Sequence, residues 1–399
     1  MPQYIVTFIT GLTSIVLARL LSIEDRGELA TFVLIFSWFY TSVSLLHPAT
    51  LQYNNYRLDQ YLFKYTNYLK FSSVIVIVIV IVAFLILDKK NIIFIVIPYY
   101  IVYYLNELIQ NAMYRHGHLR LYWKNQIYYQ LSNLCLMLIV LWYFPNTQVA
   151  VMVLVLSQLF FLILNGFSIV EIANPDIHKF LHNTPKLSNA ICDIKENFHN
   201  YIYHFAKGLI TSGDKLIIVY FFTVSQFGVY TVLLIFYSLI APFAQYVIVT
   251  NTAAVKSLES SKGVFHIIKG RKFLMNLFIF VTATIIIFFH SEFIIKLFFS
   301  EKYINYDYLS KYIVVFAFAS VLYHVIVEYI LLTIGTKPIF AVQIFYISIF
   351  FLSIVLLSYI SDSQMKIEWI PLIQILIYIA SILYLIMIKI YHSRDINKS

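Results

Sequence analysis

The sequence predicts an all-α integral membrane protein with about 12 transmembrane helices, arranged as two six-helix bundles (parallel repeats) around a central cavity. Three observations lead there. Hydrophobic residues make up 61% of the 399 and charged residues only 12%, where soluble domains carry about a quarter charged. Apolar runs such as FSSVIVIVIVIVAFLIL (71–87) and IPLIQILIYIASILYLIMIKI (370–390) have the roughly 17–25 residues that a helix needs to cross a bilayer. The halves of the chain also echo each other in order. Helices are the physical choice, because an open sheet leaves backbone groups unpaired in lipid and the alternating pattern of a barrel is absent.

The elements follow in turn, at about 4–21, 29–50, 69–87, 92–114, 127–144, 148–171, 201–222, 227–249, 273–290, 309–334, 338–360 and 369–391. Span 1 carries Arg19 in its last turn and is followed by SIEDRG, which is no small-residue cleavage site. Ser22 three positions before Asp25 has the spacing of a capping box at the start of span 2. Span 4 gathers Tyr103, Asn106, Glu107, Gln110, Asn111 and Tyr114 on one side. HGH at 116–118, beside Arg115 and Arg120, reads as a solvated basic turn rather than a metal site. The polar stretch 173–200 separates residues 1–172 from 201–399 and reads as a cytoplasmic linker between the bundles.

The second half repeats the layout. FFTVSQFGVYTVLLIF (221–236) matches LLSIEDRGELATFVLIF (20–36), with Thr223 and Gln226 at the capping positions and Gly228 in place of Gly27. Gly335, after the fourth span of its half, answers Gly117. Six spans per half keep both copies in the same orientation, as in some transporters. The segment 291–311 adds residues that the first half lacks, with the expectation of a surface helix there. With the N-terminus inside, 18 Lys and Arg fall in inside loops against 7 in outside loops. The positive-inside rule then puts both termini in the cytoplasm. The net charge of +9 belongs to those loops, and no basic patch on a soluble fold points to nucleic acid.

Span 7 holds His204, Lys207, Asp214 and Lys215. With His204 at zero, Lys207, Thr211, Asp214 and Lys215 project at roughly −60°, −20°, −80° and +20°, with Phe205, Leu209, Ile210, Leu216, Ile217 and Tyr220 opposite, on the side expected to meet lipid. Each central charge costs about 2.5–3.5 kcal/mol on insertion, so the polar stripe is expected to face protein or water. An internal ion pair that only holds the bundle together is the plainer alternative. In span 10, Ser320, His324 and Glu328 follow at every fourth position. Faces that converge would enclose a hydrated cavity whose cations, Arg19, Lys207 and Lys215 with His204, suit an anionic headgroup. Glu107, Asp214, Glu328 and His324 are the candidates for binding H⁺ or Na⁺. For Glu107, Glu328 and His324 a simple helix-packing hydrogen bond is the alternative.

Several chemistries are excluded. GLITSGDK (208–215) fails as a phosphate loop, because Asp214 stands where that motif needs Lys. No HExxH, GxSxG or paired CxxC occurs, so no metal, cofactor or soluble catalytic site is expected. Cys135 and Cys192 make no redox or metal spacing.

LARLLSIEDRGELATFVLIF (17–36), SGDKLIIVYFFTVSQFGVYTVLLIF (212–236) and KLFFSEKYINYDYLSKYIVVFAFASVLYHVIVEYILLTIGTKPIF (296–340) resemble segments of the polysaccharide-lipid flippases of the MOP superfamily. The O-antigen flippases of the Wzx type are the nearer relatives and the lipid II flippases the more distant. Arg19 and Gly27 match the end of that family's first span and the start of its second. Asp214 and the Gly228–Tyr230 stretch match its second repeat. The resemblance implies a transporter rather than an enzyme, in the bacterial inner membrane. Its implied cargo is an undecaprenyl-pyrophosphate-linked oligosaccharide received by a cationic lumen, with membrane lipids, a polymerase and chain-length proteins as further partners. Only Arg19 is carried over by motif as a phosphate contact. Two other readings stay open: an O-antigen polymerase, which would need a large outside loop with Arg and His, and a multidrug or cation antiporter of the same superfamily, which would need an acidic cavity.

Overall fold

The computed structural model describes residues 2–43, 90–115, 117–173, 208, 212–240, 271–333, 336–359 and 366–396. Every regular element among them is helical. The chain divides into two compact units, Met1–Gly208 and Leu209–Ser399. Expected span 3 and all of the expected linker but Ala173 lie outside the described residues.

The first unit opens with α1 (Pro2–Leu20) and α2 (Ile23–Val43). The turn between them forms as its sequence requires. The Asp25 backbone N–H donates to Ser22 Oγ at 3.0 Å, and that hydroxyl donates to the Asp25 carboxylate at 2.6 Å. α3 (Lys90–Arg115), α4 (Leu119–Tyr143) and α5 (Thr147–Ala173) complete the described part. α3 stops at Gly117, whose φ of +82° is the left-handed conformation that closes a helix. The His118 N–H reaches back to the Met113 carbonyl at 2.9 Å. Gly117 is therefore placed where a side chain would be strained. α4 packs against α1 and α5, and α5 also packs against α3 and α2. The core is aromatic: Phe32, Phe36, Tyr40, Tyr99, Tyr100 and Tyr104 are buried, with Phe36 and Tyr99 edge-to-face at 4.4 Å.

In the second unit, α6 (212–221) and α7 (Val224–Leu233) repeat the α1–α2 corner. Here the capping box is complete: Thr223 Oγ accepts from the Gln226 N–H, and the Gln226 side chain accepts from the Thr223 N–H at 3.0 Å. The two corners thus use the same chemistry, with Asp25 in one and Gln226 in the other. α8 (Arg271–Phe289) is followed across His290 by the short α9 (Ser291–Phe298), a 3-10 turn (Glu301–Tyr306) and α10 (Asp307–Thr333). The surface helix expected in 291–311 is present as α9. α11 (Thr336–Ser358) and α12 (Trp369–Ile396) close the chain, with α12 packed against α10 and α11.

Among the described residues, three helices are long and apolar enough to cross a membrane on length and composition alone: 147–172, 301–327 and 369–388. The bent pair 277–289 and 291–298 would make a fourth if read as one span. Large apolar side chains lie bare on the outside, among them Phe167, Phe278 and Tyr220, each more than 70% exposed. A water-soluble chain would not tolerate that much exposed apolar surface.

Candidate functional site

Span 4 was expected to present one polar stripe, and the structure divides it. Asn106 and Gln110 are buried, while Glu107 and Asn111 are half-buried and Tyr114 is exposed. Asn106 Nδ2 donates to Gln158 Oε1 at 2.8 Å, and Asn165 Nδ2 donates to Asn106 Oδ1 at 2.9 Å. Asn165 Oδ1 accepts from Gln110 Nε2 at 2.5 Å and from Asn125 Nδ2 at 3.0 Å. Asn125 also donates to Ser168 Oγ at 2.8 Å, and Ser157 donates to Asn133 Oδ1 at 3.1 Å. Three helices are therefore joined by a ladder of amides. This corrects the expectation that Asn106 and Gln110 line a hydrated cavity. In an apolar interior each amide group needs a partner, and α4 and α5 supply them. Asn125, Asn133, Gln158 and Asn165 escaped the sequence reading, although isolated amides at intervals of seven and eight residues in apolar helices were the available signal.

Glu107 sits on the other edge of α3, where it accepts from Asn111 Nδ2 at 3.3 Å. Tyr40 and Tyr103 are its electrostatic neighbours. Arg19 lies in the last turn of α1, exposed, where the negative end of the helix dipole favours a cation.

Asp25 does more than cap α2. Its Oδ1 accepts from Thr147 Oγ1 at 2.9 Å and from the Thr147 N–H at 3.2 Å, which ties the α1–α2 corner to the first turn of α5. Partial burial pushes its carboxyl upward, but the hydrogen bonds from Ser22 and Thr147 outweigh it and hold the group below the ordinary carboxylate value.

In the second unit Asp214 is the centre. It is 2% exposed on α6, and Tyr230 Oη donates to its Oδ2 at 2.6 Å. Lys215 Nζ stands 3.6 Å from Oδ1, with its side chain 27% exposed. The two charges that looked like one stripe thus face different surroundings. Successive residues on a helix differ by about 100°, so Asp214 points inward while Lys215 lies at the margin. Ile217, expected on the lipid side, is also buried at 2%, because this face of α6 packs into its own unit. Tyr220 is 79% exposed as expected. Gly213 lets α6 approach the ring of Phe350 on α11, where an added Cβ would lie 2.6 Å from Cε2.

Around Asp214 the unit is rich in hydroxyls. Tyr237 Oη and Ser320 Oγ lie 3.1 Å apart, and Tyr346 donates to Gln374 Oε1. Tyr378 stacks on Phe316 and lies tilted against Tyr323 and Tyr346. His324 Nδ1 lies 2.7 Å from the Ser320 carbonyl one turn back on the same helix. Lys207, His204 and the Glu328 side chain lie outside the described residues. Among the described residues, no cluster of His, Cys, Asp or Glu is placed to hold a metal ion.

No protein-family model matches this sequence, and no curated protein matches it. Among solved structures, the chain is similar to the lipid II flippase MurJ in its inward closed conformation. The TM-score is 0.68 at 14% sequence identity, over 97% of this chain and 86% of that one. The chain has an all-α, multi-pass membrane fold similar to that of MurJ.

Proposed function

We propose that this protein is a flippase of the bacterial inner membrane, with both termini cytoplasmic, that carries a polyprenyl-pyrophosphate-linked oligosaccharide across the bilayer. The cargo in this reading is an O-antigen or related surface-glycan unit. The observation that carries it is the likeness to MurJ over nearly the whole chain, a protein named for flipping lipid II. The bundles 1–172 and 201–399, joined by 173–200, would open alternately to each side and carry the headgroup while the lipid tail stays in the bilayer. Arg19, Lys207 and Lys215, with His204, are the proposed contacts for the pyrophosphate. Arg19 is exposed and Lys215 lies at the margin of its unit, which supports their assignment.

H⁺ or Na⁺ coupling would run through Asp214, Glu107 or Glu328. Asp214 is the first choice, because it is a buried carboxylate held by a tyrosine hydroxyl. Gradient-dependent transport that survives Asp214→Asn, Glu107→Gln and Glu328→Gln together would remove this part of the reading. The whole proposal is tested by deleting the gene in a host whose surface glycan is known. Finished lipid-linked single units should accumulate at the inner leaflet. Single units that reach the outer leaflet without chain extension would assign the protein to polymerisation instead.

A further inference from the structure

α9 is set apart from the other helices by its direction, its length and the distribution of its side chains. It leaves the end of the apolar segment 277–289 at 72° to it, across the single residue His290. Its eight residues span about 12 Å, far short of a bilayer's apolar core of about 30 Å. Counted from Ser291 at about 100° per residue, its side chains form three sectors. Ser291 and Ile295 are buried, and Ser291 Oγ donates to Asp307 at 2.5 Å, which fastens the helix to α10. Glu292 and Lys296 are exposed on the second sector and paired at 2.7 Å. Phe293 and Leu297 are exposed on the third, at 62% and 50%, next to Phe289 at 74% and Phe298 at 41%. Phe299 and Tyr303, both buried, seat the chain again directly afterwards.

A helix turned across the end of a span, with its apolar sector exposed and its polar sector about 100° further round, fits the boundary between headgroups and acyl chains. We propose that α9 is an interfacial anchor: Phe293 and Leu297, with Phe289 and Phe298, insert into the membrane surface at the outer end of α8, and Glu292 and Lys296 remain in water. The partner is the lipid surface itself. Recognition is apolar rather than charge-selective, because the cations of α9 and of the first turn of α10 are matched. Lys296 is paired with Glu292 and Lys311 with Asp307 at 3.1 Å, and Glu292 holds the Lys296 ammonium above its ordinary range. The inference stands apart from the cargo proposal and survives its failure.

The test uses the full chain with Cys135→Ala and Cys192→Ala, reconstituted into vesicles. Nitroxide labels are placed one at a time through Glu292→Cys, Phe293→Cys, Lys296→Cys and Leu297→Cys. Collision with dissolved oxygen, which concentrates in lipid, is compared with collision with a water-soluble nickel chelate. Labels at 293 and 297 should show an oxygen-to-nickel ratio several-fold above those at 292 and 296. That contrast should be the same in phosphatidylcholine vesicles and in vesicles with one quarter phosphatidylglycerol. Four water-like ratios would make α9 an ordinary surface turn. Four lipid-like ratios would make it the return arm of a re-entrant loop, and protection of all four from both reagents would point to a protein cover. Each of these outcomes overturns the proposal, and a contrast that needs the anionic lipid overturns its apolar basis.

Discussion

Gly213→Ala tests whether α6 is held as closely as its surroundings indicate. The new methyl would lie 2.6 Å from Cε2 and 2.7 Å from Cζ of Phe350. Carbon atoms settle at about 3.5–4.0 Å, so the helix or the ring must yield by about 1 Å. Phe350 is 2% exposed, which leaves its ring little room to swing. Overpacking of this kind costs about 1–3 kcal/mol, and a clash this short belongs at the upper end. Replacing glycine by alanine within a helix returns about 1 kcal/mol, so the net loss is about 1–2 kcal/mol. For a unit of this size that corresponds to a fall of roughly 2–8 °C in the apparent melting midpoint. The assay is the fraction of detergent-solubilised protein that still elutes as a single species after heating. The decisive comparison repeats the substitution in a Phe350→Leu background, which removes the atoms that clash. There only the helix-propensity gain remains, and the effect should change sign to a small stabilisation. An unchanged midpoint for Gly213→Ala alone, or the same loss in both backgrounds, would refute the close packing of α6 on α11.

Three further outcomes are expected. Asn165→Leu should lower stability by about 2–4 kcal/mol, because it strands Asn106 Oδ1 and Gln110 Nε2 inside the first unit, and the same heating assay reads it. Ser300→Gly should raise stability by about 1 kcal/mol, since Ser300 is held at φ 152°, a backbone region that belongs almost wholly to glycine; thermal midpoints of the two proteins check it. Asp25 gives a pH signature. Its folded value is depressed, so its contribution is fully present above the ordinary carboxylate value of 3.8 and is lost as the pH falls through the lower folded value. The gap in midpoint between the native protein and Asp25→Asn should therefore be constant near neutrality and close as the pH drops below about 4.

Hydropathy located the described helices because burial in lipid demands long apolar runs, and both corner turns were legible because capping chemistry is local. Ser22 with Asp25, and Thr223 with Gln226, act within four residues of each other. The site was less legible. Asp214 and Lys215 are neighbours in the chain, and a stripe drawn through both hides that one is buried and the other marginal. Their surroundings are set by Tyr230 on the next helix, α7, and by Phe350 on α11, far away in sequence. The Asn106–Gln158 and Gln110–Asn165 bonds join residues 52 and 55 positions apart, and no periodicity within one helix reports which partner another helix will offer. Asp25 shows both levels at once: its bond to Ser22 could be read from spacing, and its bond to Thr147, 122 positions on, could not.

The amide ladder also limits how the first unit can change shape. Sliding α3 along α5 by one helical turn, about 5.4 Å, would break the Asn106–Gln158, Asn106–Asn165 and Gln110–Asn165 rungs together and leave donors and acceptors facing hydrocarbon with no solvent to accept them. The three helices must therefore travel as one block, their alignment locked like the wards of a key, and any motion the protein makes in the membrane has to be absorbed at joints that carry no rungs.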